Sequence, residues 1–202
     1  DGHHRSASSV ALYEKYKAEG KTNLGRYFLS YFVEDSTLKI LEFQRLVKHL
    51  NGLSESEFLA KISALGTLTP LNTPRKPNEA HEITLYLNNK GFSLQFDKAK
   101  IEIDHPTHAL DSEILTQWIL NPILGISDLK TSDDISFVPG NTPFINVINQ
   151  VNEGSYQVAF FLYPIPMTAV KKVADHGLFM PPKSTWVEPK LRSGLTIMNM
   201  HD

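Results

Sequence analysis

Two short runs of alternating apolar residues, one on each side of a turn, constrain the fold of this chain more than any other feature. The runs are Ile83, Leu85, Leu87 and Phe92, Leu94, Phe96. A period of two residues is that of a strand with one buried face. The intervening Asn-Asn-Lys-Gly at 88–91 supplies residues that accept the positive φ angles of a tight turn. The pattern predicts an antiparallel hairpin over 83–96 and a sheet that other elements must cover.

The rest of the chain mixes helical and strand patterns without a strict strand–helix–strand repeat. Helical spacing of apolar residues predicts helices over 6–19, after a capping box at Ser54 and Glu57, from a cap at Asp111 to about 121, from Pro143 to before Gly154, and over 167–175. Aromatic and β-branched runs predict strands over 27–34, 38–47, 135–138, 158–163 and 195–198. We expect an α+β fold in which a mixed or antiparallel sheet is interleaved with helices.

Residues 1–202 are long enough to form one α+β domain with a sizeable core, and we expect a single domain. The prolines of 67–80 indicate an exposed connection inside it. The chain has no initiator Met and opens inside a motif, so we expect it to be the C-terminal part of a longer protein.

Composition excludes several classes of function. The net charge of −2 argues against a nucleic-acid-binding role, and no apolar run approaches the length of a membrane span. The absence of Cys removes disulfides, thiolate metal sites and cysteine nucleophiles, and it fits a cytoplasmic protein.

The opening residues Asp1, Gly2, His3, His4 and Arg5 place two imidazoles and a guanidinium where a turn passes into a helix. Unpaired N–H groups and the positive end of the helix dipole favour an anion there, and a guanidinium can hold two anion oxygens at once. The alternative is that Asp1 caps the helix and the other residues are ordinary surface residues. The motif predicts a phosphate or carboxylate site.

A second stretch, 180–194, brings cations close to hydroxyls. Its candidate anion ligands are Lys183, Ser184, Thr185, Lys190 and Arg192. The double proline before Lys183 stiffens the entry to this loop, which suits the binding of an oxyanion. The glycine-rich approach of a Walker loop is missing. The alternative is a rigid surface loop that leads into a final strand.

A divalent metal ion is the alternative to an anion as the partner that the histidine-rich segments would bind. The candidate ligands are Asp1, His3, His4, Asp104, His105 and His108. Adjacent histidines rarely point the same way, and His105 and His108 flank a proline loop rather than one helix face. The sequence therefore predicts no metal site, and a metal-dependent hydrolase is the third functional alternative.

Several motifs together resemble the domain-of-unknown-function 1015 (DUF1015) family over nearly the whole chain. They are Asp1 to Arg5, the middle segment 110–126, 134–138, the Met-Pro-Pro-Lys-Ser-Thr of 180–185, and 189–195. Asp175-His176-Gly177 and Pro139 depart mildly from the family's pattern. Members are typically about twice this length, so the resemblance implies that the N-terminal half of the same protein is the partner of this chain.

Gly2 to Arg5 alone is similar to a box at a helix N-terminus in the ParB and sulfiredoxin superfamily, which includes free-serine kinases. The resemblance implies phosphate-binding roles for His4 and Arg5. His3 stands where sulfiredoxins carry their catalytic Cys, which excludes that reaction. Kinases of the group take a carboxylate base from sequence before the box.

Two functional hypotheses follow. The first is a nucleotide- or phosphometabolite-binding part of a small-molecule phosphotransferase, which uses ATP and Mg²⁺ in the full-length protein and has no cofactor assigned in this chain. The second is a non-catalytic regulatory or partner-binding module. If the two cationic stretches form one site, Arg5 and Lys183 should lie on the same face of the fold.

We predict that this chain alone binds an anion but has no turnover, because no strong candidate for a general base accompanies its cations. Glu188 is the nearest acidic residue in the second stretch, and a loop ion pair is its simpler role. The measurement is ATP consumption and phosphate release by the purified chain. Steady release of phosphate by this chain would contradict the prediction.

Overall fold

The computed structural model describes residues 3–21, 23–190, 192 and 194–198, without the side chains of His3 and His4. The chain divides into two compact units. The terminal unit comprises Asp1–Lys39 and Val187–Asp202, and the central unit comprises Ile40–Trp186. The single domain that the sequence predicts stays a prediction.

The described helices are α1 (His3–Ala18), α2 (Glu55–Ser63), α3 (Asp111–Leu115), α4 (Phe144–Asn152) and α5 (Met167–Asp175). The strands are β1 (Lys39–Leu41), β2 (Phe43–Val47), β3 (Gly66–Leu71), β4 (Glu82–Leu87), β5 (Lys90–Phe96), β6 (Ile135–Pro139), β7 (Val158–Phe161) and β8 (Trp186–Glu188). A π-helical segment, Thr116–Leu120, continues α3. None of the described helices has the length and apolar character that a membrane span requires.

The central unit is built on a six-stranded sheet with strand order β3-β5-β4-β7-β2-β6. Each neighbouring pair in this sheet is antiparallel. The predicted hairpin is confirmed as β4 and β5, with Leu85 opposite Phe92. Its turn residues Asn88 and Asn89 have φ angles of 48° and 60°, which Asn tolerates better than most residues. The predicted α+β class with an antiparallel sheet is confirmed.

Both faces of the sheet are covered, as the apolar composition of its strands requires. One face packs its alternate residues, among them Val47, Ile83 and Phe160, against α2 and the α3 segment. The opposite face packs Leu46, Tyr86, Ala159 and Phe161 against α4 through Val147, Ile148 and Val151. The capping box at Ser54 and Glu57 is confirmed, and it places Phe58 and Ile62 of α2 in the core.

Three sequence predictions are wrong. The segment 27–34 has no regular secondary structure and is not a strand, with Tyr27 69% and Phe32 90% exposed. Its β-forming residues have no neighbouring strand to pair with, since β2 pairs with β6 and β7 instead. Residues 195–198 are also not a strand, and the last strand of the described residues is β8. Asp111 is the first residue of α3 rather than its cap, because its carboxylate accepts a hydrogen bond from the His81 backbone.

The connection between β3 and β4 crosses buried carboxylates and is held there by ion pairs. The Lys76 ammonium lies 2.7 Å from the buried Glu42 carboxylate and also donates to the Gly140 carbonyl. Arg75 lies 2.6 Å from Glu82, which is 4% exposed. A Cβ at Gly140 would lie 2.5 Å from the Glu42 carbonyl oxygen, so a larger residue there would displace Glu42.

We predict that Glu82→Gln reduces the acid sensitivity of the fold. Burial alone would raise the pKa of Glu82, but donors from Arg75, Ser93 and the Asn78 backbone outweigh it and hold the pKa below its ordinary value. A lowered folded-state pKa gives stability that is present above the unfolded-state pKa, about 4.5, and is lost as pH falls through the folded-state pKa.

The measurement is urea denaturation between about pH 3 and 7, with exposed Glu79→Gln as the control. Below about pH 4.5 the wild type and the control should lose stability more steeply than Glu82→Gln. Parallel stability curves for all three proteins would show that the Glu82 ion pair adds nothing.

Candidate functional site

The described part of the opening motif, from His3 to Arg5, lies in the first turn of α1. α1 starts at His3 and runs for 16 residues, so Arg5 is its third residue. No acidic side chain lies in this first turn. Gly2 and the side chains of His3 and His4 lie outside the described residues. Their predicted anion contacts therefore stay predictions.

Arg5 lines a cavity of about 510 Å³ in the terminal unit, which we call the α1 cavity. The Ser8 and Ser9 hydroxyls line it on the same helix, and Tyr27 and Phe28 contribute aromatic rings. This volume is in the range of small-ligand sites. The Ser9 hydroxyl donates to the Arg5 carbonyl oxygen at 3.0 Å. Arg5 and Ser8 are exposed. The α1 cavity thus combines positive charge, hydroxyls and aromatic surface.

The turn after α1 shapes this cavity. Gly25 also lines it and has a φ angle of 69°, in the left-handed region that favours glycine. A Cβ at Gly25 would lie 3.3 Å from the Tyr16 ring. The turn returns the chain along α1, which brings the exposed Tyr27–Leu29 segment beside Arg5.

The second predicted stretch forms a tight turn in the central unit, which we call the Lys183 loop (Pro181–Thr185). Lys183 is exposed, and its ammonium lies over the Phe43 ring at 5.5 Å from the centroid. The Ser184 hydroxyl is buried, donates to the Pro181 carbonyl at 2.7 Å and lies 3.1 Å from the Ser112 hydroxyl oxygen. A phosphate contact from Ser184 would require these bonds to break.

The structure adds Arg45, which the sequence reasoning missed. Its side chain is 0% exposed, and one of its terminal nitrogens donates to the Lys183 carbonyl oxygen at 3.0 Å. Burial lowers the pKa of Arg45 to about 9, so it remains a cation at neutral pH. The sequence signal that could have identified Arg45 is the two-residue period of β2. This period places a charged residue between Phe43 and Val47 on an apolar face.

A buried carboxylate lies at the start of α3, next to Ser112. Asp111 Oδ1 accepts a hydrogen bond from the His81 backbone nitrogen at 2.8 Å. The His81 Nδ1 atom lies 3.2 Å from the same oxygen but lacks the geometry of a hydrogen bond. Burial raises the pKa of the Asp111 carboxyl above its ordinary value, against the opposing effect of His81. His81 is half-buried, and its backbone nitrogen holds this carboxylate.

The predicted site residues belong to different units. Arg5, Lys190 and Arg192 lie in the terminal unit, and Lys183, Ser184 and Thr185 lie in the central unit. The Lys190 backbone nitrogen bonds to the Glu188 carboxylate at 3.2 Å, and Arg192 is exposed. One site shared by Arg5 and Lys183 stays a prediction.

Within the part of the chain that the structure describes, no three His, Asp or Glu side chains are grouped to hold a metal ion. The His105 and His108 rings stack with their centroids 3.6 Å apart. His108 Nδ1 lies 2.6 Å from the Glu102 carboxylate. These imidazoles thus contact each other and a carboxylate on the surface.

Comparison with known proteins assigns the family. The sequence model of the family described as "Protein of unknown function (DUF1015)" matches residues 1–113, which is more than half of the chain. The chain belongs to the DUF1015 family. No curated protein matches the chain.

Solved structures show a distant likeness. A free serine kinase in complex with AMP is 16% identical, with a TM-score of 0.45, over 93% of this chain and 65% of that chain. A conserved hypothetical protein from Pyrococcus furiosus is 16% identical, with a TM-score of 0.45, over 93% of this chain and 68% of that chain. The chain thus spans about two thirds of the length of these structures.

We predict that Ser184→Ala lowers the free energy of unfolding by about 1–3 kcal/mol, because it removes a buried donor and leaves the Ser112 hydroxyl without this neighbour. The measurement is urea denaturation. Exposed Ser155→Ala is the control and should change stability by less than about 0.5 kcal/mol. Equal stability of the two variants would mean that the Ser184 contacts do not hold the loop.

Proposed function

We propose that this DUF1015 family member binds a nucleotide or a phosphorylated metabolite through the α1 cavity. The observation that carries the proposal is the position of Arg5, which lines a cavity of about 510 Å³ together with Ser8 and the Tyr27 and Phe28 rings. An exposed guanidinium in the first turn of a 16-residue helix offers a bidentate partner for phosphate oxygens. The aromatic rings offer a surface on which a base can stack.

Within this proposal, Arg5 is the phosphate clamp, with Gly2, His3 and His4 as further donors of the same turn. Lys183 and Thr185, together with Lys190 and Arg192, are the proposed cations and hydroxyl of the second stretch. Both stretches carry fixed positive charge in a turn, where an anion is stabilised without reorganisation of the protein.

We extend the proposal to phosphoryl transfer in the full-length protein, with ATP and Mg²⁺ as cofactors and the N-terminal half as the partner of this chain. Phosphoryl transfer depends mainly on positioning and on neutralising the charge of the phosphate oxygens. The cations of this chain are suited to both tasks. The catalytic base is left to the remainder of the protein.

A non-catalytic binding module is the second candidate, and the Ser184 geometry favours it. The Ser184 hydroxyl bonds to the Pro181 carbonyl and lies beside Ser112, so part of the predicted anion loop holds its own conformation. A module that only docks a partner would need that rigidity and no phosphate.

We predict that Arg5→Lys weakens ADP binding about tenfold, because Lys keeps the charge but loses the planar fork that holds two oxygens. The measurement is isothermal titration calorimetry on the full-length protein and on this chain. Lys15→Ala, an exposed cation in the last turn of the same helix, is the matched control and should bind ADP like the wild type.

Equal affinity of Arg5→Lys and the wild type for ADP would show that Arg5 is not the clamp. If neither protein binds any member of a panel of nucleotides and phosphorylated metabolites, the non-catalytic module becomes the better account.

A further inference from the structure

Arg45 is a buried charged side chain on β2, an inner strand of the sheet. It is 0% exposed. Among the described residues, no carboxylate lies within ion-pair distance of its guanidinium. The net cost of burying a charge is several kcal/mol unless its surroundings compensate for it. Arg45 shares its side of β2 with the apolar Phe43 and Val47, so its contacts must explain a charge at this position.

The guanidinium contacts two backbone carbonyls and one aromatic ring. One terminal nitrogen donates to the Phe43 carbonyl oxygen, and the other donates to the Lys183 carbonyl oxygen at 3.0 Å. The Phe137 ring lies 5.5 Å from the guanidinium carbon, and no atom of the described residues hydrogen-bonds to the Nε atom. Neutral carbonyls satisfy donors but do not cancel the charge. Positive charge therefore remains beneath the Lys183 loop.

Lys183 has a backbone conformation that favours glycine. Its φ angle is 54°, in the left-handed region, where a residue with a Cβ is strained relative to the right-handed conformation. Arg45 holds the Lys183 carbonyl, and the Ser184 hydroxyl holds the Pro181 carbonyl at 2.7 Å. A glycine would fit this turn with less strain, so the backbone conformation does not require the lysine side chain.

The ammonium of Lys183 is exposed above the Phe43 ring, and the described residues place no carboxylate within ion-pair distance of it. Lys183 thus links two cations: its carbonyl oxygen accepts a hydrogen bond from the buried Arg45 guanidinium, and its own ammonium is exposed. A dianion gains more from such a pair than a monoanion does, because the attraction scales with the charge.

We infer that Arg45 is the positioning residue of a phosphate-binding site at the Lys183 loop, with the Lys183 ammonium as its contact to a phosphate monoester or inorganic phosphate. Arg45 fixes the loop backbone and adds its buried charge to the potential that the ligand meets. The inference deepens the proposed function by giving the Lys183 loop a ligand class and a residue that positions it. It does not depend on the α1 cavity.

The test follows the amide resonances of Lys183 and Thr185 in ¹H–¹⁵N spectra of the whole chain during a titration with inorganic phosphate. These two amides report on the loop and not on Arg5. The variants are Lys183→Gly, Arg45→Met and Arg45→Lys, with exposed Lys61→Ala in α2 as the control. Lys183→Gly removes the ammonium while relieving the φ strain, so this variant should keep or exceed the wild-type melting temperature.

We expect phosphate to shift both amides in the wild type and in Lys61→Ala. Lys183→Gly and Arg45→Met should weaken the response of the loop by about tenfold or more, and Arg45→Lys should weaken it less. Arg45→Met should also speed hydrogen exchange at Ser184 and Thr185, which is the readout of a released loop.

An unchanged phosphate response in Lys183→Gly overturns the inference, and so does a wild-type loop that does not respond to millimolar phosphate. If Arg45→Met does not fold, Lys183→Gly alone decides the outcome. If Lys183→Gly loses the loop response while Arg5→Lys binds ADP like the wild type, the result contradicts the α1 cavity and supports the Lys183 loop. If Lys183→Gly keeps the loop response while Arg5→Lys loses ADP binding, the result contradicts the Lys183 loop and supports the α1 cavity.

Discussion

A buried guanidinium joins the middle of the sheet to a loop 138 residues away in sequence. Arg45 lies in β2, one of the inner strands, and its hydrogen bond to the Lys183 carbonyl fixes the turn that carries the exposed ammonium. The T-shaped contact between Phe43 and Trp186 and the Ser112–Ser184 contact hold the same loop from either side. The geometry of the Lys183 loop therefore depends on a charge that the protein keeps in its core at a cost.

The sheet could be predicted from sequence wherever local chemistry and burial agree. The β4–β5 hairpin has both strand alternation and Asn residues at positive φ angles, and the α2 capping box has both of its reciprocal hydrogen bonds. The prediction of a strand over 27–34 is wrong because β propensity describes a residue that fits a half-buried pleated surface. Among the described residues, no neighbouring strand provides that surface. The prediction of Asp111 as a helix cap is wrong because its carboxylate accepts a hydrogen bond from the distant His81 backbone nitrogen instead.

The residues of the candidate sites also divide into those that a local sequence signal predicts and those that it does not. Arg5 and Lys183 could be found because each is a cation in a turn, which is a local signal. Arg45, His81 and Asp111 could not, because their roles come from contacts with residues far away along the chain. A charged residue at an inward position of a strand is the one trace of such a role that a sequence retains, and in β2 that residue is Arg45.

The central claim is that the α1 cavity holds a phosphate-bearing ligand, and a crystal structure of this chain grown with ADP tests it most directly. The account predicts density for ADP in the α1 cavity, with phosphate oxygens within hydrogen-bond distance of the Arg5 guanidinium and the base against the Tyr27 or Phe28 ring. An α1 cavity that holds only water at saturating ADP, or ADP bound away from Arg5, would contradict it.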